Sequence, residues 1–241
     1  MKEDAELEAS STVFSKILLF DIDGTLLLSG RAGYRALTRT FEEQFGVESG
    51  FAGIPVAGQT DALILDAALK RAGLEVTSGA KARFHARYCE LFANEIQFPG
   101  PRKGLMPGVA ELLEVLTRQE KIRCGLLTGN FAKPARIKLQ HFDLWKYFYF
   151  GAYGDDAPVR DDLVPVAVER ARREQVIVQT PGDVVVIGDT PLDVQCAVAA
   201  GARSIAVATG SYDEVTLRET VADAVLADFS DTQKTVEVLL S

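Results

Sequence analysis

The sequence predicts an α/β protein: a parallel sheet covered by helices, interrupted by one long helical insert. Three observations carry this. From Leu105 onward, short apolar runs alternate with helical patterns, which is the mark of crossover units and a parallel sheet. An earlier apolar run, Lys16–Phe20, stops abruptly at Asp21 and Gly24, as a buried strand does before a tight turn. Between the two, residues 30–98 show helical spacing and no convincing strand.

Taken in order, residues 1–11 are acidic and lack an apolar stretch, so they read as a frayed tail and not as a signal peptide. Lys16–Phe20 is the first strand. In the insert, Tyr34, Leu37, Phe41 and Phe45 fall at helical spacing. With Phe84 and Tyr88 they are expected to form the insert's own core. Residues 61–72 predict a helix capped by Thr60 or Asp61, and a third helix carries Phe84 to Phe92 with Ser78 as its upstream cap. Residues 98–104 (FPGPRKG) have the composition of a hinge.

Pro107 then opens a helix with Val109, Leu112, Leu113 and Leu116 on one face. Strands are predicted at 122–127, 147–150, 184–189 and 204–210, and near 225–226. Helices are predicted from Pro134, over 163–174 and 191–202, and near 231–240. The division is a core of residues 1–27 and 105–241 with an insert of residues 28–104. The insert leaves just after the first strand, so it stands as a lid over the carboxyl ends of the strands, where such sheets bind ligands.

Composition narrows the chemistry. With 241 residues and 47% hydrophobic content, the chain buries a full core without disulfides or structural metal. A net charge of −8 argues against nucleic acid or an anionic membrane as partner, and the apolar runs are too short to span a bilayer. The three cysteines form no CxxC pair, so they read as small core residues in a reducing, cytoplasmic setting. No protein partner is evident. His85 and His141 stand alone, and nothing suits zinc.

Three motifs fall at predicted strand ends. The first, DIDGT, places Asp21 and Asp23 two residues apart, where they can converge on one pocket. Close carboxylates repel unless a cation or a shared proton relieves them. Taken alone, the motif can also be a surface turn, since Asp and Gly are ordinary turn residues. The second, LLTGN, offers the Thr128 hydroxyl and the amides near Gly129 and Asn130 as an anion cradle, although by itself it also reads as a plain loop. The third, GDTPLD, ends a strand on Asp189 and places Asp193 in the first turn of the next helix, where an acid also suits the helix dipole. Asp21, Asp23 and Asp189 on neighbouring strand ends supply hard oxygen ligands suited to Mg²⁺. Metal-assisted phosphoryl transfer is the chemistry these residues suggest.

DIDGT, LLTGN and GDTPLD, in this order and with a helical insert after the first, resemble the haloacid dehalogenase (HAD) superfamily, and among its members the C1-capped, phosphoglycolate phosphatase-like enzymes. The resemblance spans nearly the whole chain. It implies a Rossmann-like core with a mobile helical cap. It implies Asp21 as the nucleophile that forms an aspartyl-phosphate and Asp23 as the acid that protonates the leaving oxygen and then activates water. It implies Mg²⁺ on Asp21, Asp189 and the Asp23 carbonyl, with Asp193 in or behind the metal shell. Thr128, Gly129 and Asn130 would bind the phosphoryl group of a small phosphorylated substrate.

The family usually places a lysine between the second and third motifs. Lys133 follows Thr128 by only five residues and should begin the next helix. Arg160, in the loop before the 163–174 helix, is better placed, and its planar fork suits phosphate; Lys133 is the fallback. The dehalogenases of the superfamily lack the second acid of the first motif, so Asp23 favours phosphate esters. Gln59 in the loop 57–61 and Arg31 after the first motif are candidate substrate contacts. A sugar-phosphate mutase, a phosphonatase using Lys70, Lys81 or Lys103, and a catalytically silent binding protein remain the alternatives.

Overall fold

The computed structural model describes residues 14–241; the tail expected over residues 1–11 lies outside them. Its centre is a six-stranded parallel sheet. β1 (Lys16–Phe20) pairs on one side with β4 (Ile122–Leu127), which pairs with β5 (Phe150–Ala152). On the other side it pairs with β6 (Val184–Gly188), followed by β7 (Arg203–Val207) and β8 (Ala224–Leu226). The apolar runs are continuous because both faces are covered. Successive side chains of a strand point to opposite faces: Leu18 and Phe20 enter one core layer, Ile17 and Leu19 the other. Val185 and Ile187 divide from Val184 and Val186 in the same way.

Helices α4 (Val109–Thr117), α5 (Ala132–His141), α6 (Leu163–Arg173), α7 (Pro191–Ala199), α8 (Glu214–Arg218) and α9 (Thr232–Leu240) clothe this sheet. The insert is α1 (Ala32–Phe45), α2 (Asp61–Arg71) and α3 (Ser78–Glu95). These three pack around their own core, with Phe41, Phe51, Phe84 and Phe92 at its centre. Phe131, directly after LLTGN, inserts into that same cluster, its ring 4.4 Å from His85 and 6.2 Å from Tyr88. One core residue thus anchors the insert beside the strand ends.

Several local expectations are corrected. The strand expected at 147–150 lies at Phe150–Ala152, and Trp145–Tyr147 makes a 3-10 turn instead. The aromatic run misled because β5 needs small residues: a Cβ at Gly151 would press on Leu126 and Tyr153. α5 begins two residues before Pro134, which sits in the first turn, where a missing N–H costs nothing. α4 begins at Val109, with Gly108 as its N-cap in left-handed backbone at φ 78°. Thr77 caps α3 instead of Ser78. Thr60, and not Asp61, caps α2, accepting from the Leu63 amide at 3.2 Å.

The base of the insert carries a ribbon that the sequence did not signal. β2 (Leu27–Leu28) runs antiparallel to β3 (Gly104–Leu105). The two connections therefore leave and re-enter the core side by side. Gly30 and Gly100 let their backbones cross there, since a Cβ at Gly100 would overlap the Gly30 carbonyl. All three cysteines are free and buried. Among the described residues, no helix is long and apolar enough to cross a membrane.

Candidate active site

The first motif lies where β1 runs out. The Asp21 amide donates to the Ile187 carbonyl at 2.9 Å, so the ladder carries Asp21 to the strand's last register. The chain then turns tightly, with Leu26 and Leu27 both donating back to the Ile22 carbonyl. Gly24 turns at φ 87° and packs against Asp189, leaving no room for a Cβ. Thr25 donates to Asp189 Oδ1 at 3.0 Å, and Thr209 donates to the Gly24 carbonyl at 2.5 Å. The first motif and the end of β6 are thereby fixed to each other.

Asp21, Asp189 and Asp193 are all buried, and oxygens of the three lie within 4.8 Å of one another. Burial raises Asp21 to about 6, partly offset by Arg160. Burial, then the neighbouring carboxylates Asp193 and Asp21, raises Asp189 to about 8. Desolvated, mutually repelling carboxylates fit a hard divalent cation. Asp193 is already engaged: Oδ2 accepts from the Thr190 amide at 3.0 Å and its hydroxyl at 2.7 Å, and Oδ1 accepts from Arg160. Asp21 and Asp189 are therefore the open carboxylates, with Asp193 behind them. The Asp23 side chain gives no oxygen to this cluster.

Arg160 stands in the site and Lys133 does not. Arg160 is 6% exposed, in a 3-10 turn before α6. Its Nη2 reaches Asp21 Oδ1 at 3.2 Å and pairs with Asp193. The same Nη2 donates to the Leu127 carbonyl at 3.2 Å, and Nη1 donates to Gly58 in the insert, also at 3.2 Å. Burial works to lower its pKa, but Asp193 and Asp21 outweigh it and the value rises. Lys133 is exposed in the first turn of α5.

The second motif gathers around Asp23. Thr128 is fully buried, and its hydroxyl accepts from the Asn130 amide at 3.3 Å and side chain at 3.0 Å. Asn130 Nδ2 also donates to Asp23 Oδ2 at 2.8 Å. Gly129 and Asn130, with Asp21, Asp23 and Asp189, line a cavity of about 520 Å³ beneath the insert. Gln59 and Arg31 line it too, the latter in left-handed backbone at φ 64°. Tyr34, expected in the insert core, is 40% exposed and faces this cavity instead.

The loop 57–61 rests directly on the core. The Asp61 amide donates to the Gly129 carbonyl at 2.7 Å, and Asp61 Oδ2 accepts from Phe131 N–H at 2.8 Å. Thr60 donates to the Pro158 carbonyl at 2.8 Å. Gly129 has no room for a Cβ against the Gln59 carbonyl. Burial raises Asp61 to about 6, opposed by Lys138 and the Phe131 amide.

Lys138 and Asp61 are the residues that sequence reasoning missed. Lys138 is 4% exposed and pairs with Asp23 Oδ2 and Asn130 Oδ1. One signal was present: Lys138 shares the buried face of α5 with Ala135 and Leu139, at spacing where a solvated charge does not belong.

The family model for haloacid dehalogenase-like hydrolases matches residues 18–198, which hold all three motifs. The chain belongs to the haloacid dehalogenase-like hydrolase family. No curated protein matches the sequence. Solved structures share the HAD fold. CbbY from Rhodobacter sphaeroides, solved with phosphate, is 21% identical with a TM-score of 0.68, over 90% of this chain and 96% of its own. A hydrolase from Pseudomonas syringae is 21% identical with a TM-score of 0.67, over 93% and 99%. A predicted phosphoglycolate phosphatase from Haemophilus somnus is 19% identical with a TM-score of 0.66, over 92% and 98%. In this chain the Rossmann-like parallel sheet spans the core, and Asp21, Asp189 and Asp193 cluster at its carboxyl edge.

Proposed function

We propose that this HAD hydrolase is a Mg²⁺-dependent phosphatase acting on a small phosphate monoester through Asp21. The observation that carries this is Asp21 itself: a buried carboxylate at a central strand end, facing the cavity, with the Arg160 guanidinium 3.2 Å away and Asp189 alongside. Residues 28–104 act as the cap that covers the reaction, and the free, buried cysteines suit a cytosolic enzyme.

Asp21 and Asp189, with the Asp23 carbonyl, would hold the Mg²⁺, which supplies charge neutralisation at the phosphoryl oxygens. An Asp21 oxygen attacks phosphorus and the bond to the leaving oxygen breaks. The leaving oxygen takes a proton from Asp23. Asp23 then accepts a proton from the water that attacks the aspartyl-phosphate, and the Asp21–phosphorus linkage breaks. Arg160 offers a fixed charge beside the transferred group, and the Gly129 and Asn130 amides with Thr128 shape its cradle. Gln59 and Arg31 face the remainder of the substrate. The predicted phosphoglycolate phosphatase and the phosphate-bound CbbY among similar structures support a small phosphorylated substrate.

The test is a panel of phosphate monoesters, phosphoglycolate included, assayed with Mg²⁺ and with chelator. Mg²⁺-dependent phosphate release is expected, and the best ester names the substrate. Slow release that depends on a bisphosphorylated activator would assign a mutase instead. Absence of release under all conditions would overturn the reading.

The raised carboxylates give a second prediction. Asp189 has a folded pKa of about 8 against 3.8 unfolded, so its ionisation costs stability above that value. The cost fades as pH falls through it. Without metal, Tm is expected to rise as pH drops from about 9 to about 6. Saturating Mg²⁺ should stabilise more at the alkaline end, because the ion no longer competes with a proton. Asp189→Asn should flatten both trends. A metal-free Tm independent of pH in wild type and variant alike would refute the prediction.

A further inference from the structure

Lys138 has no part in the scheme above, yet its contacts lead to one of the two acids that perform it. Its ammonium donates to Asp23 Oδ2 and to Asn130 Oδ1, while Asn130 Nδ2 donates at 2.8 Å to the same Asp23 oxygen. Two donors thus converge on Oδ2. Oδ1 accepts no hydrogen bond among the described residues, and Asp23 stays 36% exposed on the cavity wall. Asn130 is held in turn by the Thr128 hydroxyl. The arrangement grips one carboxylate oxygen and presents the other.

The position of Lys138 makes this grip obligatory. Its side chain is 5% exposed, and the Phe92 ring of the insert covers it, 5.6 Å from Nζ. A buried ammonium with so little access to water is strongly unfavourable without an anion. Asp23 is the carboxylate in direct contact with it. The ion pair therefore holds both partners in one geometry, set by α5 together with the tight turn that carries Asp23.

We propose that Lys138 is a positioning residue for the reaction: it fixes Asp23 Oδ2 so that Oδ1 carries the proton given to the leaving oxygen and, once ionised, takes one from the attacking water. Lys138 also lines the cavity, but its ammonium is taken up by Asp23 and Asn130 and not by Asp21. The inference rests on the phosphatase reading for its chemistry, but the ion pair can be tested without it.

The kinetic test uses the full-length protein with Mg²⁺ and the best ester of the panel. Lys138→Met is expected to lower kcat about 10²-fold and to leave KM within about twofold. Lys138→Arg should recover part of the loss. An unchanged kcat in Lys138→Met overturns the proposal. So does a rise in KM at constant kcat, because Lys138 would then bind substrate.

A double-mutant cycle supplies the readout that needs no activity. Asp23→Asn leaves Lys138 buried and unpaired, so its Tm should fall. Adding Lys138→Met to it should recover much of that fall, since both partners are then neutral. Additive Tm losses overturn the proposal even if the enzyme is active. Recovery in the cycle with no phosphate release from any ester would refute the phosphatase reading while the Lys138–Asp23 pairing stands. If Lys138→Met alone melts too low to assay, the double variant and Lys138→Arg still decide the question.

Discussion

Asp21→Asn is expected to abolish phosphate release from every ester, by at least about 10⁴-fold, because it removes the attacking oxygen. The fold should survive. The sign follows from burial: the Asp21 carboxyl is raised to about 6 in the folded protein, desolvation outweighing the Arg160 charge. At neutral pH, ionised Asp21 therefore costs stability, and a neutral amide of the same shape relieves that cost. In metal-free buffer at pH 7.5 the variant should melt no lower than the parent. Its stabilisation by Mg²⁺ should shrink, since one of the two open carboxylates is gone. Full hydrolysis by Asp21→Asn would refute the covalent scheme. An inactive variant that no longer folds would instead show Asp21 to be a structural acid.

Arg160→Ala is expected to cost both activity and stability. It leaves Asp21, Asp189 and Asp193 crowded and buried with no facing guanidinium. Stripping one partner from a buried ion pair costs about 3–5 kcal/mol, a Tm fall of roughly 10 °C for a chain of this length. Loss of the charge beside the phosphoryl group should lower turnover about 10²-fold or more. Arg160→Lys should recover part of the stability, because the charge remains. It should recover less of the turnover, because an ammonium does not reproduce a fork that spans Asp21, Asp193 and two carbonyls. Lys133→Ala, at an exposed position, should change neither. Denaturation curves and phosphate release on the three variants check this ranking, and the reverse order would transfer the role of the cation to Lys133.

Parts of the site are written locally in the chain. Asp21, Asp23, Asp189 and Asp193 were legible because each lies within a few residues of a strand end. A continuous apolar run identifies such a strand without knowledge of its neighbours. Arg160 was legible from its place in the chain order, but its contacts with Asp21 and Asp193 needed the sheet to bring three separate segments together. Elements recognised from apolar spacing, such as β1, β6 and α1, match the observed ones closely. β5 was displaced because its residues are small where the neighbouring aromatics looked strand-like. The β2–β3 ribbon, two residues to a strand, is too short to leave any periodicity.

By itself, then, the sequence determined the parallel α/β sheet, the inserted helices and the acidic strand ends, because each depends on burial patterns over neighbouring residues. The tertiary structure decided the rest. Lys138 reads as one more helix charge until folding sets Asp23 against it and Phe92 over it, across 115 and 46 residues of chain. Asp61 reads as a helix cap until the loop 57–61 settles on Gly129 and Phe131. Tyr34 belongs to an apolar stripe, yet packing of α1 turned it to the cavity. In each case the deciding quantity was how much water the folded protein leaves around the group. That depends on which distant surface covers the group, and spacing along the chain does not encode it.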